Sequence, residues 1–438
     1  MKPLRQSSVQ AGYKQTEVGV IPEEWAFEPL RFHTLSSAYG PRFSGEHYDE
    51  RGNIALLRTT DLDDEGNLFL AQMPRAKLPL DQFKAHILLP GDFLVSRSGT
   101  CGLSTVFPGY EIPVLPGAFL IRLRFASSVH VGFLKLYFNS EFGKRHLQSL
   151  TEGGVQKNIR GSALVELSFP LPLPLEQRAI ATALDDVDGL LGGMDRLIAK
   201  KRDLKQAAMQ QLLTGQTCFP GFHGEWEVKR LGEIADIKTG PFGSSLHESD
   251  YVQDGTPIIT VEHLGEFGVE HRNLPMVSDH DRQRLRGYSL EVGDIVFSRV
   301  GSVDRNALIR PSEAGWLFSG RLLRVRPDRD KAFAQFLSYQ FHGEAFKGLV
   351  RSVAVGQTMA CLNTQILKGI IVKLPSVPEQ TAIAKVLTEM DAELAALEQR
   401  REKTRALKQA MMQELLTGRI RLVESGKLKV ESEHSVKT

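Results

Sequence analysis

Two hydrophobic patterns alternate along the chain. Short runs such as FLVSR (93–97) and LLRVRP (322–327) are apolar or alternate between apolar and polar residues, and Gly-Asp, Pro-Gly and similar pairs bound them. Such runs between turn signals are typical of β-strands. An amphipathic helical pattern interrupts each set of strands, at 133–150 and at 336–350. We therefore expect two compact α+β domains, each built on a mixed or antiparallel sheet.

A much longer helical pattern follows each set of strands. Pro174 and Pro378 stand at its start, where the missing N–H of proline leaves no intrahelical hydrogen bond unmade. Gly215 and Gly418 end the two patterns, because glycine readily adopts the left-handed conformation that terminates helices. The stretch 176–213 contains no proline. It predicts a helix of about 57 Å, at about 1.5 Å per residue.

The second half of the chain repeats the first in the same order. GDFLVSRSGT from Gly91 returns as GDIVFSRVGS from Gly293, an EW pair opens each half, and LLTG closes each half. Such an ordered series of matches indicates an internal duplication. The predicted boundaries are 16–173 and 220–376 for the globular domains, 174–215 and 377–418 for the long helices, and 419–438 for a polar tail.

Apolar residues recur on both long helices at spacings of four and three, which is a heptad seam that packs on a partner helix. The first predicted seam contains Ile180, Leu184, Val187, Leu191, Met194, Ile198, Leu204, Ala208 and Leu212. The second contains Ile383, Leu387, Met390, Leu394, Leu397, Leu407, Met411 and Leu415. The alternative is that each helix lies along the surface of its own domain.

Two repeats in one chain can pack about an approximate two-fold axis. We therefore expect two tandem α/β domains separated by two long antiparallel coiled-coil helices, in a pseudo-two-fold arrangement. Gly189, Gly192 and Gly193 indicate a bend or a close approach in the first helix. Lys201 and Thr404 interrupt the seams at equivalent positions, so we expect looser packing in the middle of the pair.

A basic cluster flanks each seam. The clusters are Arg196, Lys200, Lys201, Arg202 and Lys205, and Arg400, Arg401, Lys403, Arg405 and Lys408. A solvated helix face is the ordinary interpretation of such a cluster. The functional alternative is contact with nucleic acid or with an acidic partner surface.

The composition limits the class of protein. The 438 residues are 42% hydrophobic and 24% charged, and the net charge of +2 excludes a uniformly basic nucleic-acid coat. The first fifteen residues are polar and do not resemble a signal peptide, and no apolar run is long enough to span a bilayer. Cys101, Cys218 and Cys361 are too far apart to suggest a chelating pair or a disulfide framework. We therefore expect a cytoplasmic protein.

No catalytic motif is evident. The chain lacks a G-x-x-x-x-G-K-[ST] phosphate loop, an Asn-Pro-Pro-aromatic methyltransferase motif and a G-x-S-x-G elbow. Two groups have the residue types of a site, but we expect them to be ordinary exposed side chains: the histidines His263, His271 and His280, and the aspartates Asp185, Asp186 and Asp188. We predict no metal site and no catalytic residue in this chain.

These motifs resemble those of a known family. Two α/β domains, each followed by PLEQRAIATAL or VPEQTAIAKVL and a long helix closed by LLTG, are similar to the specificity subunits of type I restriction–modification enzymes. The resemblance covers about residues 16–420. The first repeat departs from the second in placing Leu175 between Pro174 and Glu176, where the second has Pro378 directly before Glu379.

The resemblance implies that DNA recognition belongs to this chain and the chemical reactions belong to partner subunits. Each globular domain would be a target-recognition domain that reads one half of a split sequence in double-stranded DNA. The helices would act as spacer and as the docking site for two methyltransferase (modification) subunits, which restriction/translocase subunits join. This chain would need no cofactor, whereas the partners would use S-adenosylmethionine, ATP and magnesium. No membrane partner is implied.

The repeat also indicates which residues distinguish the two halves of the target. Residues shared by both repeats, such as Arg97 and Arg299, cannot carry the difference, so we expect them to hold scaffold or phosphate. Base reading should lie in loops that diverge, where polar side chains suit base edges. The candidate DNA-binding residues are Tyr39, Arg42, Arg97, Gln156, Lys157, Asn158, Arg160, Lys238, Arg299, Gln357, Thr358 and Asn363. For each one, ordinary loop polarity is the alternative.

Two other functions remain open from the residues. One is a fused restriction-class enzyme with its own nuclease or methyltransferase activity. The other is a coiled-coil scaffold with no DNA role, which would leave the two matched globular domains unexplained.

Overall fold

The computed structural model describes residues 10–152, 157–216, 219–241, 246–265, 268–354 and 360–422. The chain divides into two compact units, one formed by Met1–Gly193 with Arg401–Thr438 and the other by Met194–Arg400. Each unit therefore combines one of the two repeated domains with one half of each long helix. Among the described residues, no helix combines the length and hydrophobicity needed to cross a bilayer.

Among the described residues, the first unit has a four-stranded main sheet, a three-stranded second sheet and three two-stranded sheets. Its strands are β1 (Tyr13–Thr16), β2 (Gly19–Pro22), β3 (Ala26–Pro29), β4 (Thr34–Tyr39), β5 (Ile54–Leu57), β6 (Arg75–Ala76), β7 (Phe93–Ser96), β8 (Ser104–Val106), β9 (Val114–Pro116), β10 (Leu120–Phe125), β11 (Thr151–Glu152), β12 (Asn158–Ile159) and β13 (Ser168–Leu171). Its helices are α1 (Leu80–Phe83), α2 (Val131–Asn139), α3 (Glu141–Gln148), α4 (Gly161–Val165) and the first half of α5 (Pro174–Leu212). The main sheet has the antiparallel order β4-β10-β7-β8, and in the second sheet β5 pairs antiparallel with β6 and parallel with β9.

The second unit repeats this plan. Its strands are β14 (Glu227–Arg230), β15 (Ala235–Thr239), β16 (Tyr251–Val252), β17 (Thr256–Ile259), β18 (Met276–Val277), β19 (Ile295–Ser298), β20 (Asn306–Leu308), β21 (Leu317–Phe318), β22 (Leu322–Pro327) and β23 (Ile371–Leu374). Its helices are α6 (Leu231–Ile234), α7 (Asp279–Arg284), α8 (Ala334–His342), α9 (Glu344–Val353), α10 (Thr364–Gly369) and the first half of α11 (Val377–Leu415). The main sheet β15-β22-β19-β20 corresponds strand for strand to that of the first unit, and β17 pairs parallel with β21.

The core of each unit lies between its main sheet and the helices that follow that sheet. In the first unit the rings of Phe93 and Phe138 lie 6.2 Å apart, and in the second the rings of Phe297 and Phe341 lie 5.1 Å apart. All four side chains are fully buried. The sheet face and the amphipathic helices therefore form the hydrophobic core that the sequence pattern predicts.

The prediction of a single amphipathic helix in each domain is wrong. Ser140 ends α2 and begins α3, because its Oγ accepts a hydrogen bond from the backbone N–H of Gly143 at 3.2 Å. This contact is an N-cap, which starts a new helix. In the second unit Gly343 separates α8 from α9.

The motifs found in both halves meet at one place in each unit, which we call the junction. In the first unit Glu176, at the start of α5, accepts hydrogen bonds from Trp25 Nε1 at 3.0 Å and from the guanidinium of Arg421 at 2.5 and 2.9 Å. A Cβ atom on Gly418, whose φ is +69°, would lie only 3.0 Å from the Trp25 ring. The EW, EQ and LLTG motifs are thus parts of one contact, and Arg421 belongs to it although the sequence places this residue in a polar tail.

The second unit has its own junction. A Cβ atom on Gly215, whose φ is +72°, would lie 3.0 Å from the ring of Trp226. Glu379 is buried and accepts a hydrogen bond from the backbone N–H of Phe219 at 2.9 Å. In both units glycine is therefore required twice over, by its backbone conformation and by the tryptophan packed against it.

A buried glutamine fixes the start of each long helix to its globular domain. Gln177 Oε1 accepts from the backbone N–H of His130 at 2.6 Å, and its Nε2 donates to the carbonyl of Pro172 at 2.8 Å. Gln380 does the same, accepting from the N–H of Phe333 at 2.8 Å and donating to the carbonyl of Pro375 at 2.9 Å. Because the carboxamide is the only side chain that offers an acceptor and two donors in this geometry, no other residue type would satisfy these backbone groups.

Within each unit the two helix halves run antiparallel. In the second unit Lys205 Nζ lies 2.5 Å from Asp391, and Lys201 lies 2.7 Å from Glu393. Residue numbers therefore fall along α5 as they rise along α11. In the first unit Lys408 Nζ lies 2.6 Å from Asp188. That pair occupies the positions equivalent to Lys205 and Asp391 in the repeat.

Two seam residues were predicted wrongly. Leu204 and Leu407 are 49% and 56% exposed, whereas Ile198 is buried. The heptad spacing that leads to Ile198 continues through Lys201 and Lys205. Leu204 therefore lies on a different face of α5 from the seam. Only 13% of the Lys205 side chain is exposed. Its aliphatic stem occupies the seam while its ammonium group reaches a carboxylate.

Ion pairs engage several cations of the two basic clusters. Besides the contacts above, Arg202 pairs with Glu398 at 2.5 Å, and Arg401 and Arg405 contact Glu402 at 2.9 and 3.1 Å. These contacts favour the structural interpretation of the clusters over nucleic-acid binding. A side chain at Gly189 or Gly193 would meet no atom within 4 Å, so the described residues show no close approach at these glycines.

The glutamine contact at the start of α11 can be tested by the substitution Gln380→Ala. The change removes the partner of the half-buried N–H of Phe333 and of the buried carbonyl of Pro375. We expect the free energy of unfolding of the second unit to fall by about 2–3 kcal/mol. Urea unfolding measures this. Gln399→Ala, at an exposed position of α11 in the same unit, is the control and should change the value by less than about 0.5 kcal/mol. Equal effects of the two changes would contradict the assignment.

The position of the seam makes a second prediction. Ile198→Ala empties a buried site, so we expect a loss of about 2–4 kcal/mol in the free energy of unfolding. Leu204→Ala removes an exposed side chain and should stay within about 0.5 kcal/mol. Both residues lie on α5 and become the same residue, so helix propensity affects the comparison little. A larger loss at Leu204 would restore the seam expected from the sequence.

Candidate nucleic-acid interface

Five of the predicted DNA-binding residues meet at one edge of the main sheet in the first unit. Strand β4 ends at Tyr39 beside the start of β10, which in turn pairs with the end of β7. Arg97 directly follows β7, and residue Ser98 forms a β-bridge with Asn158. Lys157 and Arg160 flank that bridge and are exposed. The antiparallel order of the sheet therefore places residues that are far apart in sequence on one surface, which we call the sheet-end surface.

Arg97 is held on two sides at this surface. Its guanidinium carbon lies 4.4 Å from the centre of the Tyr39 ring, in a cation–π contact, and its Nε donates to Asn158 Oδ1 at 3.1 Å. Tyr39 is held in turn, because its hydroxyl oxygen accepts from the backbone N–H of Gly161 at 2.7 Å. The backbone carbonyl of Arg97 accepts from the N–H of Ile159 at 2.9 Å. Side chains and backbone thus fix this arginine before any ligand binds.

The turn after β7 is held by its own hydroxyl and thiol groups. Ser96 Oγ accepts from the backbone N–H of Leu103 at 2.9 Å and donates to the carbonyl of Thr100. The thiol of Cys101 contacts the carbonyls of Arg97 and Lys157 at 3.0 and 3.1 Å. Burial raises the pKa of this thiol, although the nearby charges of Lys157 and Arg97 oppose the shift. Ser96 therefore serves as scaffold, which is one of the two roles expected for the shared residues.

The second unit has the same backbone frame with different side chains. The carbonyl of Arg299 accepts from the N–H of Leu362 at 2.8 Å, and Val300 forms a β-bridge with Cys361. Thr239 and Cys361 stand where the first unit has Tyr39 and Asn158. Arg299 instead places its Nη1 3.4 Å from the carbonyl of Gly320. The shared arginines therefore have different neighbours in the two units.

Two predicted residues of the second unit make internal contacts. Lys238 Nζ donates to the carbonyl of Gly287 at 2.8 Å and lies 4.4 Å from the centre of the Tyr288 ring. Asn363 is the N-cap of α10, where its Oδ1 accepts from the backbone N–H of Ile366 at 2.8 Å. These contacts give each residue a structural role, and they leave DNA binding by either one as a prediction.

The remaining candidates are placed only in part. Arg42 follows β4 and is exposed. Gln156, Gln357 and Thr358 lie outside the described residues, so their assignment stays a prediction.

One residue of this surface is not among those predicted from the sequence: the residue that directly precedes β10, the second strand in the order of the main sheet, or β22 in the second unit. Phe119 is 57% exposed, and its carbonyl accepts from the N–H of Arg97 at 2.8 Å, which places it on the sheet-end surface. The equivalent carbonyl in the second unit is that of Arg321, which accepts from Arg299 at 2.8 Å. The sequence contained a signal for this position, because LIRLR and LLRVR match closely whereas the residue before each is Phe119 in one repeat and Arg321 in the other.

Among the histidines and aspartates considered as sites, the structure confirms the expected exposure of His271, His280, Asp185 and Asp186. His263 was expected to be exposed, but it is buried and its Nδ1 accepts from the backbone N–H of Thr260 at 3.1 Å. His271 lies 2.7 Å from the buried carboxylate of Glu313, and Asp188 pairs with Lys408. In the part of the chain that the structure describes, no three metal-ligating side chains group together.

Comparison with known proteins agrees with this architecture. The family model described as "Type I restriction modification DNA specificity domain" matches residues 36–198 and 223–406. A putative type I restriction enzyme MjaX specificity subunit from Methanocaldococcus jannaschii is 24% identical over 441 residues, covering 96% of this chain and 99% of the relative. The MjaVIII specificity subunit of the same organism is 25% identical over 302 residues, covering 66% and 70%.

Two solved structures share the fold. The type I restriction–modification S subunit from M. genitalium has a TM-score of 0.54 at 16% identity, over 89% of this chain and 96% of that chain. A chain from a study of complex assembly and conformational transition in a type I system has a TM-score of 0.55 at 17% identity, over 91% and 99%. Because the family model matches most of the chain, once in each half, the chain belongs to the family of type I restriction–modification DNA specificity subunits.

Proposed function

We propose that this chain reads the DNA sequence for a type I restriction–modification complex, each globular domain binding one half of a bipartite target in double-stranded DNA. The observation that carries the proposal is the pair of sheet-end surfaces. Two units with the same backbone frame present different side chains at matching positions, namely Tyr39 and Thr239, Asn158 and Cys361, and Phe119 and Arg321. A duplicated scaffold with unlike reading surfaces suits two different half-sites.

The chemistry of these surfaces suits DNA. The first unit combines the cations of Arg97, Lys157 and Arg160 with the carboxamide of Asn158 and the exposed ring of Tyr39. Arginine and asparagine recognise guanine and adenine through paired hydrogen bonds, and apolar groups contact the thymine methyl group. The cations also supply the phosphate attraction that brings any such protein onto DNA.

The long helices would provide spacing and assembly. We propose that α5 and α11 pair as an antiparallel coiled coil with pseudo-two-fold symmetry, separate the two domains, and dock two methyltransferase subunits, which restriction/translocase subunits then join. The equivalent ion pairs Lys408–Asp188 and Lys205–Asp391, one inside each unit, support this arrangement. The complex would act in the cytoplasm, on cellular and invading DNA.

The chain itself would perform no chemistry. Adenine methylation with S-adenosylmethionine, and translocation and cleavage with ATP and magnesium, would belong to the partner subunits. No feature of the described residues favours a fused nuclease or methyltransferase. That alternative is an outcome of the following test.

Reconstitution separates the possible functions. The chain is purified alone and with its methyltransferase subunits, and each preparation is incubated with DNA, magnesium, S-adenosylmethionine and ATP. We expect methylation of one bipartite sequence by the complex and no reaction with the chain alone. Methylation or cleavage by the chain alone would establish the fused-enzyme alternative.

Filter binding against salt tests the DNA role separately. If the complex neutralises six to ten phosphates, its affinity should fall by about 10³–10⁵-fold between about 50 and 200 mM salt. Affinity that did not respond to salt would contradict DNA binding and favour the scaffold alternative.

A further inference from the structure

Arg97 is half-buried on the sheet-end surface. Among the described residues, its side-chain hydrogen bonds use Nε alone, toward Asn158, while Tyr39 covers one face of the guanidinium plane. The edge formed by the two Nη groups is left for a ligand. Since both the plane and the inner edge are fixed, the outer edge has a defined direction, which reduces the entropy lost when it forms two parallel hydrogen bonds.

Two ligands on DNA fit a guanidinium edge: a phosphate, and the O6 and N7 atoms of guanine. The neighbours of Arg97 favour guanine. Tyr39 is 41% exposed and its ring lies 4.4 Å from the guanidinium carbon of Arg97, while Phe119 is 57% exposed and bonds the backbone N–H of Arg97 through its carbonyl. Exposed rings suit the floor of a groove, where base edges and thymine methyl groups are found, whereas a charged and hydrated phosphate backbone gains little from them.

The second unit has different residues around its shared arginine. Thr239 supplies no ring, Cys361 supplies no carboxamide, and Arg299 Nη1 is directed to the carbonyl of Gly320 at 3.4 Å. An arginine found in both repeats is therefore presented differently in each. From the sequence we expected shared residues to hold scaffold or phosphate, since identical residues cannot distinguish two half-sites. Because the two arginines have different neighbours, this reasoning does not exclude a base contact by one of them.

We propose that Arg97 reads one guanine in the half-site bound by the first unit, through paired hydrogen bonds from its Nη groups to O6 and N7, and that Tyr39 and Asn158 are its positioning residues. The inference rests on the proposed function, since it needs the sheet-end surface to face DNA. It goes further in naming the base, the contacting atoms and the residues that make a shared arginine specific to one half of the target.

The test uses the complete complex of this chain with its methyltransferase subunits. The methylated sequence is first read from adenine methylation in a host that lacks other modification systems. Affinities are then measured for synthetic duplexes in which each guanine of the target is replaced in turn. We expect Arg97→Ala to abolish a preference of about 10–100-fold at a single guanine of one half-site, which is the range of a bidentate base contact.

Two controls identify the contact. Arg299→Ala should leave the preference at that guanine unchanged, because Arg299 belongs to the other unit. Arg97→Ala should also leave the salt dependence of binding unchanged, whereas loss of a phosphate contact lowers the log–log slope by about one. A uniform loss of affinity for all duplexes with a lowered slope would overturn the inference, and so would a half-site without guanine. Neither result would contradict the proposed function. That proposal is contradicted only if the complex has no sequence preference at all.

The positioning role has its own measurement. Asn158→Ala should reduce the preference at the same guanine, and Asn158→Asp should restore it, because the carboxylate keeps an acceptor for Nε. Thermal unfolding of each variant complex should match the wild type. If Asn158→Ala lowers the stability without changing base preference, Asn158 is structural and the positioning role is refuted.

Discussion

The structure depends on the junctions, where the start of each long helix is bonded to a globular domain. At each junction a buried glutamine satisfies backbone groups of the loop before a core helix, and a buried glutamate beside it receives donors from neighbouring segments. A polar side chain buried without such partners would destabilise the fold, so these hydrogen bonds specify one orientation of the helix start. These hydrogen bonds account for the repeated EQ motif, and the packing of tryptophan against a left-handed glycine accounts for the EW and LLTG motifs.

The junctions also explain how one scaffold can carry two specificities. The repeated residues form the helix attachments, the cores and the turn after β7, which hold the backbone. The unlike residues lie at the edge of the main sheet, where β4 and β7 end and β10 begins. Substitutions there change the exposed side chains while leaving the buried hydrogen bonds in place. Sequence reading can therefore change without affecting the fold, as a protein that recognises different half-sites requires.

The sequence predicted the repeat, the domain class and the long helices because each depends on local patterns or on ordered matches. The predictions from sequence were wrong at positions whose packing depends on contacts between residues far apart in the chain. Leu204 was assigned to the seam because it is apolar, yet the lysine beside it, Lys205, takes that place since a carboxylate on the facing helix neutralises it. Arg421 was assigned to a tail because its partner, Glu176, is far away in the sequence.

The candidate site was predictable in part. Tyr39, Arg97 and Asn158 were all selected for their chemistry and their loops, but their mutual contact follows from the order of strands in the sheet, which the sequence alone does not state. Phe119 was overlooked because an aromatic residue beside a strand is ordinarily assigned to the core. Phe119 is exposed because it lies just before β10, at the end of the main sheet that forms the sheet-end surface.

The central claim is that unlike side chains on a common frame give each unit its own half-site. The most direct measurement is the methylated sequence produced by a complex in which Tyr39, Phe119 and Asn158 are replaced by their second-unit counterparts, as Y39T, F119R and N158C. The account predicts that one half-site changes and the other is kept. An unchanged target, or a change in both halves together, would contradict it.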